Sequence, residues 1–246
     1  MTFKENLIRF YMSIINFFRI HKAKILLKKS AFTLAEVLIT LMILGVIAVI
    51  VIPSTISNIK KHQTEVELKK AYSILTNTIE RAHANTGDSL ADMRNTLGNC
   101  SGGDCWVKNI PFVETYILPN VQYSDYCPRT KQCKDTSYPK FNDGYHGYGI
   151  ILNNGMYFEF QTDSYQQIIL TIDLNGTKQG PNIFGYDRFY YTLYKDANKF
   201  VGENGWGSAC SSPTGANNGA WNNNSGCAKV IMDNGWKIPD NYPVHF

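Results

Sequence analysis

Residues 32–52, FTLAEVLITLMILGVIAVIVI, form an apolar run interrupted by one charge, Glu36. From Val37 to Ile52 there is none. As a helix rising 1.5 Å per residue, the run reaches about 32 Å, close to the roughly 30 Å hydrocarbon core of a bilayer. A secretory signal peptide would have a shorter apolar core followed by a small-x-small cleavage site. This run is longer, and its small residues, Ser30 and Ala31, come before it. The stretch reads as a membrane span. That reading makes Glu36 conspicuous, because a charge within a spanning helix is costly.

The charge distribution gives the span a direction. Of the chain's 24 basic and 20 acidic residues, seven basic and one acidic lie in residues 1–31, so the rest of the chain is mildly acidic. A basic block beside an apolar span is a cytoplasmic flank. It does not support nucleic-acid binding, which needs a basic face on the folded domain. A merely solvated charge run is the blander alternative, but the adjacent span supplies a reason for the charge. The apolar stripe in "NLIRFYMSIINFF" suits a membrane-surface helix, and Met12 offers an alternative start with the same basic end.

Pro53 ends the apolar run without ending the helical pattern. Apolar residues recur at Ile56, Ile59, Leu68, Ala71, Leu75, Ile79 and Ala82, with Lys and Glu filling the remainder. "NTG" at 85–87 is a helix stop. One helix is therefore expected from Phe32 to near Ala84, with Pro53 bending it near Ile52.

After Gly87 the composition turns to Gly, Asn, Asp, Ser and aromatics. Strands are expected at 112–118, 147–152, 156–161, 167–173 and 189–194, with "NNG" at 153–155 as a hairpin turn. "CAKVIMDNGWKIPDNYP" reads as one short helix ended by Asn234-Gly235, then an extended end. The fold class expected is α+β: a long N-terminal helix, transmembrane then amphipathic, packed on a small antiparallel sheet.

All six cysteines follow the span: Cys100, Cys105, Cys127, Cys133, Cys210 and Cys227. An even count in a part read as exported suggests disulfides. Sequence does not choose the connectivity. The local set Cys100–Cys105, Cys127–Cys133 and Cys210–Cys227 is favoured because the first two would close small loops. Zinc is disfavoured, since the spacings are wide and His146 is isolated.

"KKSAFTLAEVLITLMILGVIAVIVIP" resembles the N-terminus of type IV prepilins and of the pseudopilins of type II secretion systems. That resemblance implies cleavage between Ala31 and Phe32 by a prepilin peptidase, and N-methylation of Phe32. Glu36 then stands where the family places its assembly glutamate, and Pro53 where many members carry a helix-bending proline. Alanine before the cut departs from the usual glycine, and the leader is long. The implied division is a leader over 1–31, the transmembrane half of the helix over 32–52, its amphipathic half over 53–86, and an exported globular domain over 87–246. The implied function is a structural subunit, not an enzyme, anchored by a single pass in the inner membrane with its N-terminus cytoplasmic. The implied partners are the peptidase, other pilin or pseudopilin subunits and an inner-membrane assembly platform. Alternatives are a minor pilin acting as an adhesin, or a membrane-anchored exported binding protein or enzyme. Pilus and pseudopilus, major and minor subunit, are not separable at this level.

Glu36 acquires a role within that resemblance. In a dry bundle of helices a carboxylate needs a partner, and the amine of Phe32 on a neighbouring subunit is the natural one. Gly45 lowers helix propensity and, with Pro53, would let the helix stretch.

No cofactor is expected, with one candidate exception. "DLNGTKQGPN" carries oxygen side chains at Asp173 and Asn175, and Asp187 follows. Some pseudopilins bind calcium in a late loop. The EF-hand spacing is not met, because Gly176 follows Asn175 directly. A polar turn, with Asp and Asn chosen for turn geometry, is the preferred reading. No G-x-S-x-G, H-E-x-x-H or phosphate loop is present.

Overall fold

A computed structural model describes residues 32–97, 108–128, 147–162, 167–176, 179–194, 197–203, 209–211 and 224–246. The chain divides into two compact units, Met1–Pro53 and Ser54–Phe246. One helix, α1 (Leu34–Thr86), begins in the first and continues into the second, with Pro53 inside it.

Within the first unit, α1 is long and apolar enough to cross a membrane. Its apolar side chains, among them Leu38, Met42, Val46 and Val49, are exposed.

Within the second unit, α1 is amphipathic in the usual sense. Thr64, Leu68, Ala71, Leu75, Thr78 and Ala82 are buried, spaced alternately four and three residues apart, so they line one stripe. The helix stops where Gly87 adopts φ +80° and its N–H donates to the His83 carbonyl at 2.8 Å. A short helix, α2 (Leu90–Asn95), follows with a full capping box between Ser89 and Asp92.

The sheet has five antiparallel strands in sequence order: β1 (Tyr123–Cys127), β2 (Tyr148–Leu152), β3 (Tyr157–Thr162), β4 (Ile168–Asp173) and β5 (Arg188–Leu193). The β2–β3 hairpin turns at 153–155, with Gly155 at φ +88°. Register places Tyr148 opposite Phe160, Phe160 opposite Leu170, and Leu170 opposite Tyr191. These side chains share a face and a core with Leu68, Ala71 and Leu75 of α1. Burying each large apolar side chain there contributes about 1.5–3 kcal/mol. The other face is buried too: all six positions of β3, β4 and β5 are inaccessible. This explains why "IILTID" and "FYYTL" read as continuous apolar runs rather than strict alternation.

Two expectations need correction. Residues 112–118 are not a strand. They lie in a helical segment made of α3 (Asn109–Phe112), a π turn (Val113–Ile117) and a 3-10 turn (Leu118–Asn120). The aromatic and β-branched residues there suggested a strand, but the buried set is Phe112, Val113, Tyr116 and Ile117, which is helical spacing. The first strand is instead β1. It was missed because it is an edge strand whose first three residues are exposed and polar or aromatic.

The C-terminal helix, α4 (Cys227–Asp233), ends at Asn234-Gly235 as expected. Gly235 takes φ +68°, and Trp236 N–H returns to the Ile231 carbonyl at 2.8 Å. The segment beyond is tied to α1. Glu65 accepts from Ile238 N–H at 2.9 Å and Lys237 Nζ at 2.8 Å, while Trp236 and Tyr191 both pack on Tyr72.

Candidate functional site: the start of the long helix and the β4–β5 loop

The first candidate site is the start of α1. Ala31 lies outside the described residues. Phe32 is 85% exposed. Thr33 precedes the first helical residue and makes a reciprocal pair with Glu36. Glu36 N–H donates to Thr33 Oγ1 at 3.3 Å, and Glu36 Oε2 accepts from Thr33 N–H and Thr33 Oγ1, both at 2.9 Å. This is a capping box: each residue satisfies a donor that the first helical turn leaves without a partner. Thr33 was not singled out from the sequence, although T-x-x-E before an apolar run is the signal for such a box. Glu36 is exposed, and among the described residues its side chain bonds to Thr33. At Gly45 a Cβ would meet nothing within 4 Å, so packing within the chain does not require the glycine.

The second candidate is the loop from Asp173 to Arg188, which joins β4 to β5. Asp173 and Arg188 are direct cross-strand partners, and Arg188 Nε donates to Asp173 Oδ2 at 3.0 Å. Asp173 is fully buried and Asp187 is 4% exposed. Asp187 Oδ1 accepts from Ile183 N–H at 2.6 Å and its Oδ2 from Asn182 N–H at 2.8 Å. The loop folds back so that Ile183 O accepts from the N–H groups of Tyr186, Asp187 and Arg188. Burial pushes the Asp173 carboxyl up to about 6, against the opposing pull of the Arg188 guanidinium.

Asn175 Nδ2 lies 3.3 Å from both Asp187 Oδ2 and the Gly180 carbonyl. Asp173 is paired with Arg188. Among the described residues there is no group of three or more His, Cys, Asp or Glu side chains that could hold a metal ion. Asn182 and the Gln179 carbonyl lie in this cluster with Asp173 and Asn175, and sequence reasoning did not include them.

Of the cysteine pairs, Cys210–Cys227 is a disulfide, with Cα atoms 4.8 Å apart. It lies under the loop 183–186: a Cβ at Gly185 would come within 2.9 Å of Cys227 Sγ and 2.8 Å of Val244 Cγ2. Cys127 is also disulfide-bonded. Cys100, Cys105 and Cys133 lie outside the described residues.

Neither a curated protein nor a solved structure matches the chain. One family model matches residues 54–246, the whole of the second compact unit, and the N-terminal motif lies before it. The chain belongs to that family, DUF6613, described as a family of unknown function.

Proposed function

We propose that this protein is a prepilin-like structural subunit of a type IV pilus or a type II secretion pseudopilus. It is cut between Ala31 and Phe32, methylated at the Phe32 amine, and assembled through α1. The observation that carries this reading is the contrast along one helix. From Leu34 to Ile52 none of its apolar side chains is buried and most are exposed, whereas from Thr64 to Ala82 it supplies a stripe to the α+β core. The first part is built for lipid before assembly and for other helices after it.

The charges support the direction. The basic leader stays cytoplasmic and the domain after Pro53 is exported. The Cys210–Cys227 disulfide suits an oxidising compartment on that side. Glu36, exposed and bonded to its own Thr33, is available to the Phe32 amine of a neighbouring subunit. Gly45, unconstrained within the chain, suits close approach of another helix.

The reading is tested by the mass of the mature N-terminus. Protein isolated from cells with an active prepilin peptidase should begin at Phe32 and be one methyl group heavier than the bare chain. Retention of residues 1–31 under those conditions would overturn the processing step.

A further inference from the structure

The Cys210–Cys227 disulfide joins two sulfurs in unlike surroundings. Cys227 is fully buried, at the start of α4. The backbone of Gly185 lies against its Sγ, where a Cβ would also come within 2.8 Å of Val244 Cγ2 and 3.2 Å of the Tyr242 hydroxyl. Three parts of the second unit hold that loop in place. Thr64 Oγ1 of α1 donates to the Tyr186 carbonyl at 3.3 Å, Asn224 Nδ2 to the Phe184 carbonyl at 2.8 Å, and the Tyr242 hydroxyl to the Gly185 carbonyl at 2.6 Å. Phe246 stacks on Tyr186, with ring centroids 4.6 Å apart.

Cys210 is half-buried, and its neighbours Ala209 and Ser211 are exposed. Gly226 N–H donates to the Ala209 carbonyl at 2.8 Å and Ser211 N–H to Asn224 Oδ1 at 3.3 Å. These bonds fix the short segment beside residues 224–226 while leaving it at the surface.

Exchange at a disulfide begins when a thiolate attacks one sulfur, and its rate depends on access to that sulfur and on the thiol that leaves. Attack at Cys227 requires the 183–186 loop to lift, with loss of the bonds from Thr64, Asn224 and Tyr242. Attack at Cys210 requires no such opening. The leaving group works the other way, since a Cys227 thiolate left within the apolar core is a poor one. That slows exchange at Cys210 but does not open the other sulfur.

We propose that Cys210 is the exchange site of this disulfide, the residue on which an incoming thiol forms its mixed disulfide with the chain. The thiolate bonds to Cys210 Sγ, the Cys210–Cys227 bond breaks, and Cys227 leaves with the electron pair as a thiolate that takes up a proton. Closing the bond in the folded domain runs the same steps backward: Cys227 attacks Cys210 and the thiol is released.

The test treats the oxidised full chain, in detergent, with excess reduced glutathione. The reaction is stopped early with N-ethylmaleimide and the adducts are mapped by peptide mass. Among molecules opened at this bond, glutathione on Cys210 with maleimide on Cys227 should exceed the reverse by about tenfold or more. Equal amounts, or glutathione mainly on Cys227, would overturn the proposal. The variants C227S and C210S make the same comparison on single thiols, without re-closure. With dithiodipyridine under native conditions, Cys210 in C227S should react about tenfold faster than Cys227 in C210S, and urea should abolish the difference. Equal rates in the folded variants would also overturn it. If the variants fail to fold, the adduct ratio on the unmodified chain decides; if re-closure outruns trapping, the variants decide.

Discussion

The buried Asp173 carboxyl makes the stability of the second compact unit depend on pH in a sign opposite to that of most carboxylates. Its folded value is pushed up to about 6, from an ordinary value of 3.8. The folded state therefore holds the proton more tightly than the unfolded chain. The stabilising effect of that proton is fully present below the unfolded value and is lost as pH rises through the folded one. Each unit of difference is worth about 1.4 kcal/mol, so the change between pH 4 and pH 7.5 is roughly 2–3 kcal/mol. Other carboxylates titrate in the same range, and Asp92 moves the opposite way because Ser89 donates to it. Comparison with D173N cancels them. The measurement is urea unfolding of the full chain and of D173N in detergent, across pH 4 to 7.5. The stability of the unmodified chain relative to D173N should fall by that amount, levelling off above about pH 6. A difference that stays flat, or that rises with pH, would show that burial does not dominate the Asp173 environment.

Two further outcomes follow from local geometry. E36Q keeps a capping box, because glutamine at the same position can still accept from Thr33, but it removes the charge. Under the assembly reading E36Q should be processed normally and be excluded from filaments, whereas T33V, which keeps the charge and loses the hydroxyl, should assemble; wild-type filament yields from E36Q, scored by shearing and immunoblot, would reduce Glu36 to a helix cap. Gly185→Ala forces a side chain into φ +88° and within 2.9 Å of a disulfide sulfur, so it should destabilise by roughly 2–4 kcal/mol. The control Gly235→Ala has the same kind of positive φ but open space around it and should cost only about 1 kcal/mol by urea unfolding; equal losses at the two positions would remove the packing argument.

The elements legible in the sequence were those whose pattern repeats locally. The helix over 34–86 could be read because apolar spacing persists on both sides of Pro53 and because Gly87 supplies the positive φ of its stop. Strands β2 to β5 could be read because Tyr148–Leu152, Tyr157–Thr162, Ile168–Asp173 and Arg188–Leu193 are short apolar runs bounded by turn residues. The segment 112–118 was misread because aromatic and β-branched residues carry strand propensity, and propensity yields to burial geometry. Strand β1 could not be read, since an edge strand with polar, exposed residues has no face to signal.

The same division separates the two candidate sites. Glu36 and Thr33 are three residues apart, so the box they form is written in local sequence, as is the apolar span that follows. Asp173 and Arg188 are 15 residues apart and meet only because β4 and β5 pair in one register. Asp187 is likewise committed by the backbone N–H groups that the loop turns toward it. Residue types at the loop named the acceptors, and which donors meet them, Arg188 Nε among them, depended on the fold. A carboxylate's chemistry is set by its solvation and its partners, and for residues distant in sequence both are properties of the packed domain.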